Sequence, residues 1–418
     1  MNTKHSDVLI LGGGVIGLSC ALYLLKSGAS VRVLEKDKVG AGSSHGNCGT
    51  LTPSHAEPLC APGMVGNALR WMFQRDAPLY IKRSPNPQRM RWLLGFARRC
   101  NWNDFGHATE ARAAILSRSR GLIEELVNSE DLDCEFKSDG MLYVYREQAG
   151  MDKAQSHIEW LNKVGIEAQS KTADELLAME PALKDDVLGA VYHPGDGSFR
   201  PDQYVAELAR RVRELGGIIE EGTRAERFAT AQGGIRAVHT PRGRFSADRV
   251  VLALGAWSPR LGGKLGLHLP MEPCKGYSIT YSRPENCPRT QMVLEDVSVC
   301  VTTWSSGYRL GSTMEFSGYD TRLNETRLGA LERGAALYLR DPVGPVVQEK
   351  WCGWRPMCVD EIPIIGSSTR WSNLLLATGH GMMGMSMSAA TGELIASLCV
   401  GPAPVLDPTP YSPARFRL

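Results

Sequence analysis

The chain has 418 residues, with 47 Lys and Arg against 45 Asp and Glu, so its formal net charge is +2. This balance leaves no basic excess and argues against a nucleic-acid-binding protein. Its length predicts two or three domains, at roughly 150 residues each. The eleven cysteines contain no C-x-x-C pair. We therefore expect free thiols in a reducing compartment and no metal site.

The ends of the chain offer no obvious targeting or membrane segment. No signal peptide is expected, because the polar run 2–6 leads directly into a predicted strand at Asp7. The most apolar late segment, 373–400, is interrupted by glycines and by Glu393, so it is a poor candidate for a membrane span. These features predict a cytoplasmic protein.

The chain opens with a β-α-β pattern. Residues 7–11 predict a short buried strand, 15–27 a helix and 31–35 a second strand. A long loop rich in glycine and polar residues is predicted over 40–66.

The remaining elements mix helices and strands. Helical periodicity is expected at 91–99, 107–127, 151–164, 173–177, 201–215, 326–340 and from about Met385 to 398. Strands are expected at 140–145, 188–193, 218–221, 235–240, 249–254 and 374–377. Alternating apolar and polar residues over 271–314 predict an antiparallel sheet. This order predicts an α/β fold, with a Rossmann-like domain built from discontinuous segments and an inserted α+β domain.

A glycine fingerprint follows the first predicted strand. Gly12, Gly14 and Gly17 form G-x-G-x-x-G, which allows a tight turn, a close approach to a pyrophosphate and close packing of helix on strand. The helix N-terminus adds N–H groups that favour phosphate. Glu35 ends the second strand, where a carboxylate can accept hydrogen bonds from a ribose. The pattern predicts a bound adenine dinucleotide and leaves FAD and NAD open, although a single fingerprint argues against two complete nucleotide modules.

Five further segments carry a resemblance to a known family. They are GSSHGNCGTLTPSH (42–55), GDGSFRPDQY (195–204), VVLALGAWS (250–258), CGWRPMCVDEIPIIG (352–366) and LLLATGHGMMGMSMSAATGELIA (374–396). Together with the fingerprint, they make the chain similar over nearly its whole length to the superfamily of D-amino-acid oxidases and dehydrogenases, which are FAD enzymes. The likeness is strongest to the bacterial D-amino acid dehydrogenases. TPSHAEPLCAPGM and APLYIK are similar to enzymes that act on D-proline or cis-4-hydroxy-D-proline.

The resemblance implies a Rossmann-like FAD-binding domain and an inserted α+β substrate domain with an antiparallel sheet. The FAD-binding domain is expected to comprise residues 1–85, 186–265 and 350–418, and the substrate domain 86–185 and 266–349. The cofactor contacts that it implies are Gly12, Gly14, Val15, Ile16 and Gly17 at the pyrophosphate, Glu35 and Lys36 at the ribose, Ser43 and Ser44 at the phosphates, Cys48, Gly49 and Leu51 under the flavin, Ala225 at the adenine, and Gly379, His380, Gly381, Met382, Met383, Gly384 and Met385 at the isoalloxazine edge.

Two further expectations concern the flavin. A glycine-rich turn followed by a helix from about Met385 would aim the helix N-terminus at the ring, where N–H groups stabilise charge on the reduced cofactor. Some members of the superfamily attach the flavin to a cysteine near the position of Cys352. The local register differs in this chain, so we do not expect covalent attachment.

The resemblance also implies substrate contacts. It places Arg355 at the substrate carboxylate, where a planar guanidinium makes two hydrogen bonds and fixes the direction of the Cα–H bond. Tyr277 and Tyr308 are candidates to close the pocket, with core packing as the alternative. His55 is a further candidate for substrate contact, with a role as a loop histidine as the alternative.

The pocket is expected to be apolar. Glycine oxidases carry a second polar substrate contact in the returning loop, where this chain has Met382 and Met383. This difference favours a ring or alkyl side chain on the substrate over glycine.

The expected reaction is FAD-dependent oxidation of a D-amino acid, by hydride transfer from Cα to flavin N5, to an imino acid. A glycine- or sarcosine-type oxidase that uses O2, and a flavin-binding subunit of a heteromeric dehydrogenase, remain as alternatives. The electron acceptor, a quinone or another carrier, is left open. The basic and partly apolar stretch 81–100 suggests peripheral contact with the inner face of a membrane, against a solvated helix over the core.

Overall fold

A computed structural model describes residues 3–71, 79–82, 86–163 and 165–418. The helices of the described chain are α1 (Val15–Lys26), α2 (Met64–Trp71), α3 (Pro87–Arg99), α4 (Trp102–Ser129), α5 (Gln148–Lys163), α6 (Ala173–Met179), α7 (Pro201–Glu214), α8 (Ser258–Gly262), α9 (Glu325–Tyr338) and α10 (Ser388–Cys399). Its strands are β1 (Lys4–Leu11), β2 (Val31–Leu34), β3 (Thr50–Leu51), β4 (Leu79–Ile81), β5 (Met141–Tyr145), β6 (Gln169–Thr172), β7 (Gly189–His193), β8 (Gly197–Ser198), β9 (Ile218–Glu220), β10 (Arg227–Ala231), β11 (Gly234–Thr240), β12 (Gly243–Leu252), β13 (Met271–Tyr281), β14 (Met292–Leu294), β15 (Val299–Trp304), β16 (Gly307–Phe316), β17 (Val347–Cys358), β18 (Ile364–Ser367) and β19 (Leu374–Thr378).

The first sheet has the Rossmann-like arrangement that the opening pattern predicts. Strands β19, β12, β1, β2 and β9 are parallel neighbours in this order. Strands β10, β11 and β18 extend the sheet by antiparallel pairing. Residues Val8 to Leu11 of β1 are completely buried, as expected of a parallel strand covered on both faces. Helices α1 and α10 pack against one another in the core that covers one of these faces.

The second sheet is larger and mostly antiparallel. Its nine strands run in the order β17-β13-β16-β15-β14-β5-β7-β6, with β4 paired to β16. Strand β13 is buried over its whole length and pairs with β16 on one side and β17 on the other. Helix α9 packs against this sheet and closes a second hydrophobic core. The antiparallel sheet predicted over 271–314 is therefore confirmed.

Strand pairing crosses the expected domain boundaries. The substrate domain was expected at 86–185 and 266–349, but β7 and β17 also pair within the large sheet. The division of the chain into these segments stays a prediction. A β-α-β sheet and a mostly antiparallel sheet make up the α/β fold, and one hydrophobic core includes residues of both.

Several elements differ from their predicted bounds. Strand β17 carries Lys, Glu, Gly and Pro in the run VQEKWCGWRPMC, so it lacks the alternation that identifies a strand. Strands β6 and β10 are short and polar, and they were also missed. The predicted loop 40–66 includes β3 and the start of α2. Helix α10 begins at Ser388, later than the predicted Met385.

None of the helices in the described ranges is both long and apolar enough to cross a membrane. Residues 83–85 of the basic stretch 81–100, and 77–78 of APLYIK, lie outside the described residues.

Candidate active site

A cavity of about 1640 Å³ lies between the two sheets. Its walls come from the turn after β1, the loop 40–50, strands β16 and β17, and the loop 380–385. One side is therefore formed at the carboxyl end of parallel strands, where open α/β sheets bind their ligands. Pockets for one small molecule usually measure roughly 300–1000 Å³. This cavity has room for a dinucleotide and a small substrate together.

Gly12, in the turn between β1 and α1, and Gly17, in the first turn of α1, have no room for a Cβ. Gly12 has φ +113°, and a Cβ there would lie 2.4 Å from the carbonyl oxygen of Ala253. A Cβ on Gly17 would lie 1.9 Å from the Gly12 oxygen, so this glycine serves helix packing and does not face the cavity. Gly14, Val15 and Ile16 line the cavity. Gly12 and Gly14 thus present backbone without a side chain to the space that a pyrophosphate needs.

The far end of the cavity fits an adenosine. The Glu35 carboxylate lines it and accepts hydrogen bonds from the N–H groups of Gly13 (2.8 Å) and Asp37 (2.9 Å). The Lys36 ammonium lies 5.0 Å from the centre of the Trp257 ring. Ala225 also lines this end. These residues hold the positions predicted for an FAD ribose and adenine, and their roles stay predictions.

The loop 42–49 crosses between the two sheets. The Ser44 hydroxyl accepts the N–H of Val15 at 3.1 Å, and the Ser43 hydroxyl donates to the carbonyl oxygen of Trp354. Both serines line the cavity, as does Cys48.

Gly49 and Leu51 have structural positions. A Cβ on Gly49, which has φ +68°, would lie 2.1 Å from the carbonyl oxygen of Phe199. Leu51 is buried in the core on β3. In their place Thr50 lines the cavity. The structure therefore places these two residues beneath the cavity lining, although they were predicted to contact the flavin.

Arg355 lies on β17 and faces the cavity. Its guanidinium donates to the carbonyl oxygens of Thr313 (2.7 Å) and Ser312 (3.5 Å) on β16. A Cβ on Gly276 would lie 2.3 Å from Arg355 Nη1, so the glycine on β13 makes room for the guanidinium. Among the described residues, no carboxylate forms an ion pair with Arg355, which leaves its charge available to an anionic substrate.

The two carbonyl acceptors lie on strained backbone. Ser312 has φ +134° and Thr313 has φ +58°, although neither is glycine. The Thr313 hydroxyl is buried without a hydrogen-bond partner. The strand pairing is irregular here, with a register shift opposite Lys275–Tyr277. Backbone strain of this kind costs about 1–3 kcal/mol per residue and concentrates at functional sites. No sequence pattern predicts the positive φ values at Ser312 and Thr313.

The two candidate tyrosines occupy different environments. Tyr277 is buried and lines the cavity, and its hydroxyl donates to Glu315 Oε2 at 2.9 Å. Tyr308 is instead buried in the second core, where its hydroxyl donates to the carbonyl oxygen of Pro342 at 3.0 Å. The prediction that Tyr308 closes the pocket is wrong, because its side chain packs with Tyr281 in the core that α9 covers. Core packing was the alternative left open for it.

The returning loop is fastened beside Arg355. The Gly381 N–H donates to the carbonyl oxygen of Pro356 at 3.0 Å, and His380 forms a β-bridge with Met357. The loop residues His380 to Met385 line the cavity. Gly379 has φ +81° and packs against Cys358 and Ile364. The loop predicted for the isoalloxazine edge and the predicted carboxylate-binding arginine are therefore adjacent.

Helix α10 starts after this lining has ended. Its first residue, Ser388, is buried, and the Ala390 N–H donates to the Ser119 hydroxyl. The cavity lining stops at Met385. The expectation that the helix itself begins at the flavin is corrected, since the groups nearest the cavity belong to the loop.

His380 is neutral and its tautomer follows from its partner. Burial lowers its pKa to about 3. The Thr391 hydroxyl donates to the carbonyl oxygen of Met387 at 2.8 Å. It must therefore accept from His380 Nε2, which lies 3.0 Å away. Nδ1 of His380 is left as a hydrogen-bond acceptor.

His55 also lines the cavity as a neutral ring. Burial, with smaller effects of Arg112 and His193, lowers its pKa to about 4. The Arg112 guanidinium donates to the His55 carbonyl oxygen at 2.9 Å, which holds the turn 53–56 against α4. The His55 ring meets that of Tyr143 edge-on.

An apolar wall next to Arg355 was not predicted. It consists of Trp92 and Phe96 on α3, Met314 and Phe316 on β16, and Met357 on β17. The Trp92 indole donates to the Met357 carbonyl oxygen at 3.0 Å. Met357 lies two residues beyond Arg355 on one strand, so both point to the same face. This two-residue spacing could have placed Met357 beside Arg355 from the sequence alone, but β17 was not predicted as a strand.

The β-α-β sheet, its glycine turn and the cavity at the strand ends fit the class of dinucleotide-binding proteins. The sequence profile of DAO, the family of FAD dependent oxidoreductases, matches residues 7–398. The chain therefore belongs to the DAO family of FAD-dependent oxidoreductases, and the predicted family, fold and cofactor are confirmed. Its glycine turn and cavity fit FAD.

The relatives agree over nearly the whole length. A D-amino acid dehydrogenase of Agrobacterium fabrum is 33% identical over 417 residues, covering 98% of this chain and 99% of that protein. Another, from Chromohalobacter salexigens, is 32% identical over 421 residues, covering 98% of this chain and 99% of that protein. The crystal structure of glycine oxidase from Geobacillus kaustophilus superposes with a TM-score of 0.79 at 25% identity and covers 98% of each chain.

Proposed function

We propose that this chain is a FAD-dependent D-amino acid dehydrogenase. The observation that carries the proposal is the position of Arg355, which faces the same cavity as the dinucleotide turn and lies beside the returning loop. The two D-amino acid dehydrogenases that are about one-third identical to the chain support it.

Arg355 binds the substrate carboxylate in this mechanism. Its hydrogen bonds to two backbone carbonyls fix the guanidinium plane, so a carboxylate docked on the remaining N–H groups has one orientation. Bound FAD supplies the acceptor for the hydride that leaves Cα. The substrate loses this hydride and an amine proton and becomes an imino acid. Orientation of the Cα–H bond is thus the main contribution of the protein to the rate.

The walls of the pocket favour an apolar side chain. Met314, Phe316 and Met357 lie on the strand faces that also carry Ser312 and Arg355. They exclude water from the reacting carbon and surround the substrate side chain with apolar groups. We infer that the substrate carries a ring or alkyl group, with D-proline or cis-4-hydroxy-D-proline as first choices.

Bleaching of the bound yellow cofactor tests the proposal. Purified protein is mixed without oxygen with D- and L-forms of proline, hydroxyproline, alanine, leucine and phenylalanine, and absorbance is followed near 450 nm. D-proline or cis-4-hydroxy-D-proline should bleach it fastest, and the L-forms should leave it unchanged. Absence of bleaching by every amino acid contradicts the enzyme proposal and favours a subunit that needs a partner chain. Faster bleaching by L-forms contradicts the D-preference.

A second candidate is a glycine- or sarcosine-type oxidase, which the superposition on glycine oxidase favours. Formation of hydrogen peroxide under air distinguishes the two. A dehydrogenase should form peroxide much more slowly than it reduces a quinone analogue or dye. Rapid peroxide formation with glycine or N-methylglycine would favour the oxidase.

Helix α3 supports a proposal for peripheral membrane contact. It exposes Met90 (52%) and Leu94 (58%) on one side, together with Arg91 and Arg98. Apolar and basic residues on one helix face suit an anionic lipid surface. We expect the protein to float with vesicles that contain anionic lipid and not with neutral ones, and Leu94→Glu to weaken this binding. If equal amounts of protein float with anionic and with neutral vesicles, the basic face of α3 does not bind the membrane.

A further inference from the structure

Two cysteines meet at the wall of the cavity. Cys48 extends from the loop 42–49 and Cys300 from β15, and both line the cavity. The Cys48 sulfur lies against Gly311, where a Cβ would be only 2.4 Å from it. Gly311 is the direct partner of Cys300 across β15 and β16. Because directly opposed residues place their side chains on the same sheet face, about 4.5–5.5 Å apart at Cβ, the two sulfurs come together over this glycine.

The surroundings lower the pKa of the Cys48 thiol. The Cys300 thiol donates a hydrogen bond to it, and Arg309 and Arg355 lie nearby, so the pKa of Cys48 is lowered although burial opposes this. The buried Arg309 guanidinium also donates to the carbonyl oxygen of Asn47, the residue before Cys48, at 2.7 Å. All eleven cysteines lie in the described ranges as free thiols. The other ten have raised pKa values.

We propose that Cys48 and Cys300 form a thiol modification site, at which a hydroperoxide converts the pair to a disulfide and slows turnover. The mechanism proposed above does not use either sulfur. The site does not depend on which amino acid is oxidised, because the disulfide itself can be observed.

The chemistry balances with hydrogen peroxide as the oxidant. The Cys48 thiolate attacks one peroxide oxygen, the O–O bond breaks and, with one proton, water leaves, so that Cys48 becomes a sulfenic acid. The Cys300 sulfur then attacks the Cys48 sulfur. The S–O bond breaks and a second water leaves. Two thiols are oxidised, and one peroxide is reduced to two waters. A dithiol reductant reverses the product by exchange.

A disulfide here would disturb the cofactor site. It draws two sulfurs from contact distance to about 2.05 Å. Cys48 is fixed to the loop that carries Ser43 and Ser44, which bond to Trp354 and to the N-terminus of α1. Movement of this loop towards β15 changes the phosphate end and the flavin end of the cavity together.

Peptide mapping of the holoenzyme provides the test. The protein is treated with hydrogen peroxide, blocked with iodoacetamide and digested with trypsin without reduction. We expect a disulfide-linked pair of the peptides 39–70 and 290–309, with fragment ions that place the link at Cys48 and not at Cys60. Turnover should fall at least fivefold and recover with dithiothreitol. The Cys300→Ser variant should instead give a dimedone adduct on Cys48, since no resolving thiol is present.

Three results would overturn the proposal. One is oxidation confined to other cysteines, such as the partly exposed Cys100 or Cys399. Another is a Cys48–Cys300 disulfide that leaves turnover unchanged, because the disulfide would then not regulate the enzyme. The third is a fall in the turnover of Cys300→Ser after peroxide treatment that equals the parent's and also reverses with dithiothreitol. The loss of activity would then not require both cysteines.

Discussion

The two ends of the cavity are built by different means. At the cofactor end, the turn after β1 presents backbone to the cavity, and it has its shape because Gly12 and Gly17 lack a Cβ. At the substrate end, side chains form the surface, and Arg355 depends on Gly276, Ser312 and Thr313 from two other strands. The first arrangement is local in sequence and the second joins segments far apart.

This difference has consequences for mutation. Where the turn leaves no room for a Cβ, an added side chain should weaken cofactor binding. A side-chain surface can be altered in steps, and its changes should affect the substrate while the cofactor stays bound.

The largest effect on activity is expected at the glycine turn, because a protein that has lost FAD cannot oxidise any substrate. Gly12→Ala forces a Cβ to 2.4 Å from the Ala253 oxygen at φ +113°. Overpacking of this kind costs typically about 1–3 kcal/mol, so FAD binding should weaken roughly 10- to 100-fold or more. The flavin-to-protein ratio after gel filtration measures it, with circular dichroism to monitor folding. Gly121→Ala in α4 is the matched control, because nothing lies within 4 Å of its Cβ. Full flavin content in Gly12→Ala would contradict the assignment of the turn.

Next in size is the loss of the substrate guanidinium. Arg355→Lys keeps the charge but removes the fork, and Arg355→Met removes both. Truncation of a buried charged partner costs about 2–5 kcal/mol, so kcat/KM in Arg355→Met should fall roughly 30- to 5000-fold. Flavin content should not change. Lys350→Met on the same strand is the control, since Lys350 is exposed and pairs with Glu325 at 2.8 Å. A kcat/KM near the parent value in Arg355→Met would place the carboxylate site elsewhere.

The same division explains what could be predicted from the sequence. The β-α-β unit is short, and its glycines and Glu35 follow one another in a pattern with a direct physical meaning. Arg355 was found only through resemblance, because its support comes from β16 and its strand does not alternate. Tyr308 was misplaced, since sequence alternation shows that a strand residue is on one face and not which face meets the cavity. The positive φ values at Ser312 and Thr313 arise from long-range strand pairing, which no local pattern encodes.

A moderate effect should follow from relaxing the strained strand. Thr313→Gly removes the strain of a left-handed conformation, which costs about 1–2 kcal/mol in the folded protein. It also raises the entropy of the unfolded chain, which destabilises the folded protein by a similar amount. Stability in urea should therefore change by less than about 1 kcal/mol. The kcat/KM value should fall, roughly 10-fold or less, because the carbonyl that orients Arg355 is no longer held.

Gln232→Gly is the matched control for this change. Gln232 also has positive φ, at +49°, but it lies in the turn between β10 and β11. It should show a similar change in stability and an unchanged kcat/KM. If both variants leave kcat/KM unchanged, the strain at β16 does not serve the substrate.

The smallest effect concerns pH. Burial raises the pKa of Asp196 to about 7, although Ser54 donates to its carboxylate. The folded protein therefore binds a proton that the unfolded chain releases near its ordinary pKa of 3.8. The stability that this proton gives is fully present below pH 3.8 and is lost as pH rises towards about 7. Asp196→Asn cannot ionise, so its free energy of unfolding should decline less than the parent's between pH 4 and 7. Urea titrations at four pH values measure the difference. Asp196 holds the turn that presents His55 to the substrate end, so FAD content should be equal in both proteins. If the free energy of unfolding depends on pH in the same way in both proteins, Asp196 is ionised over the whole range.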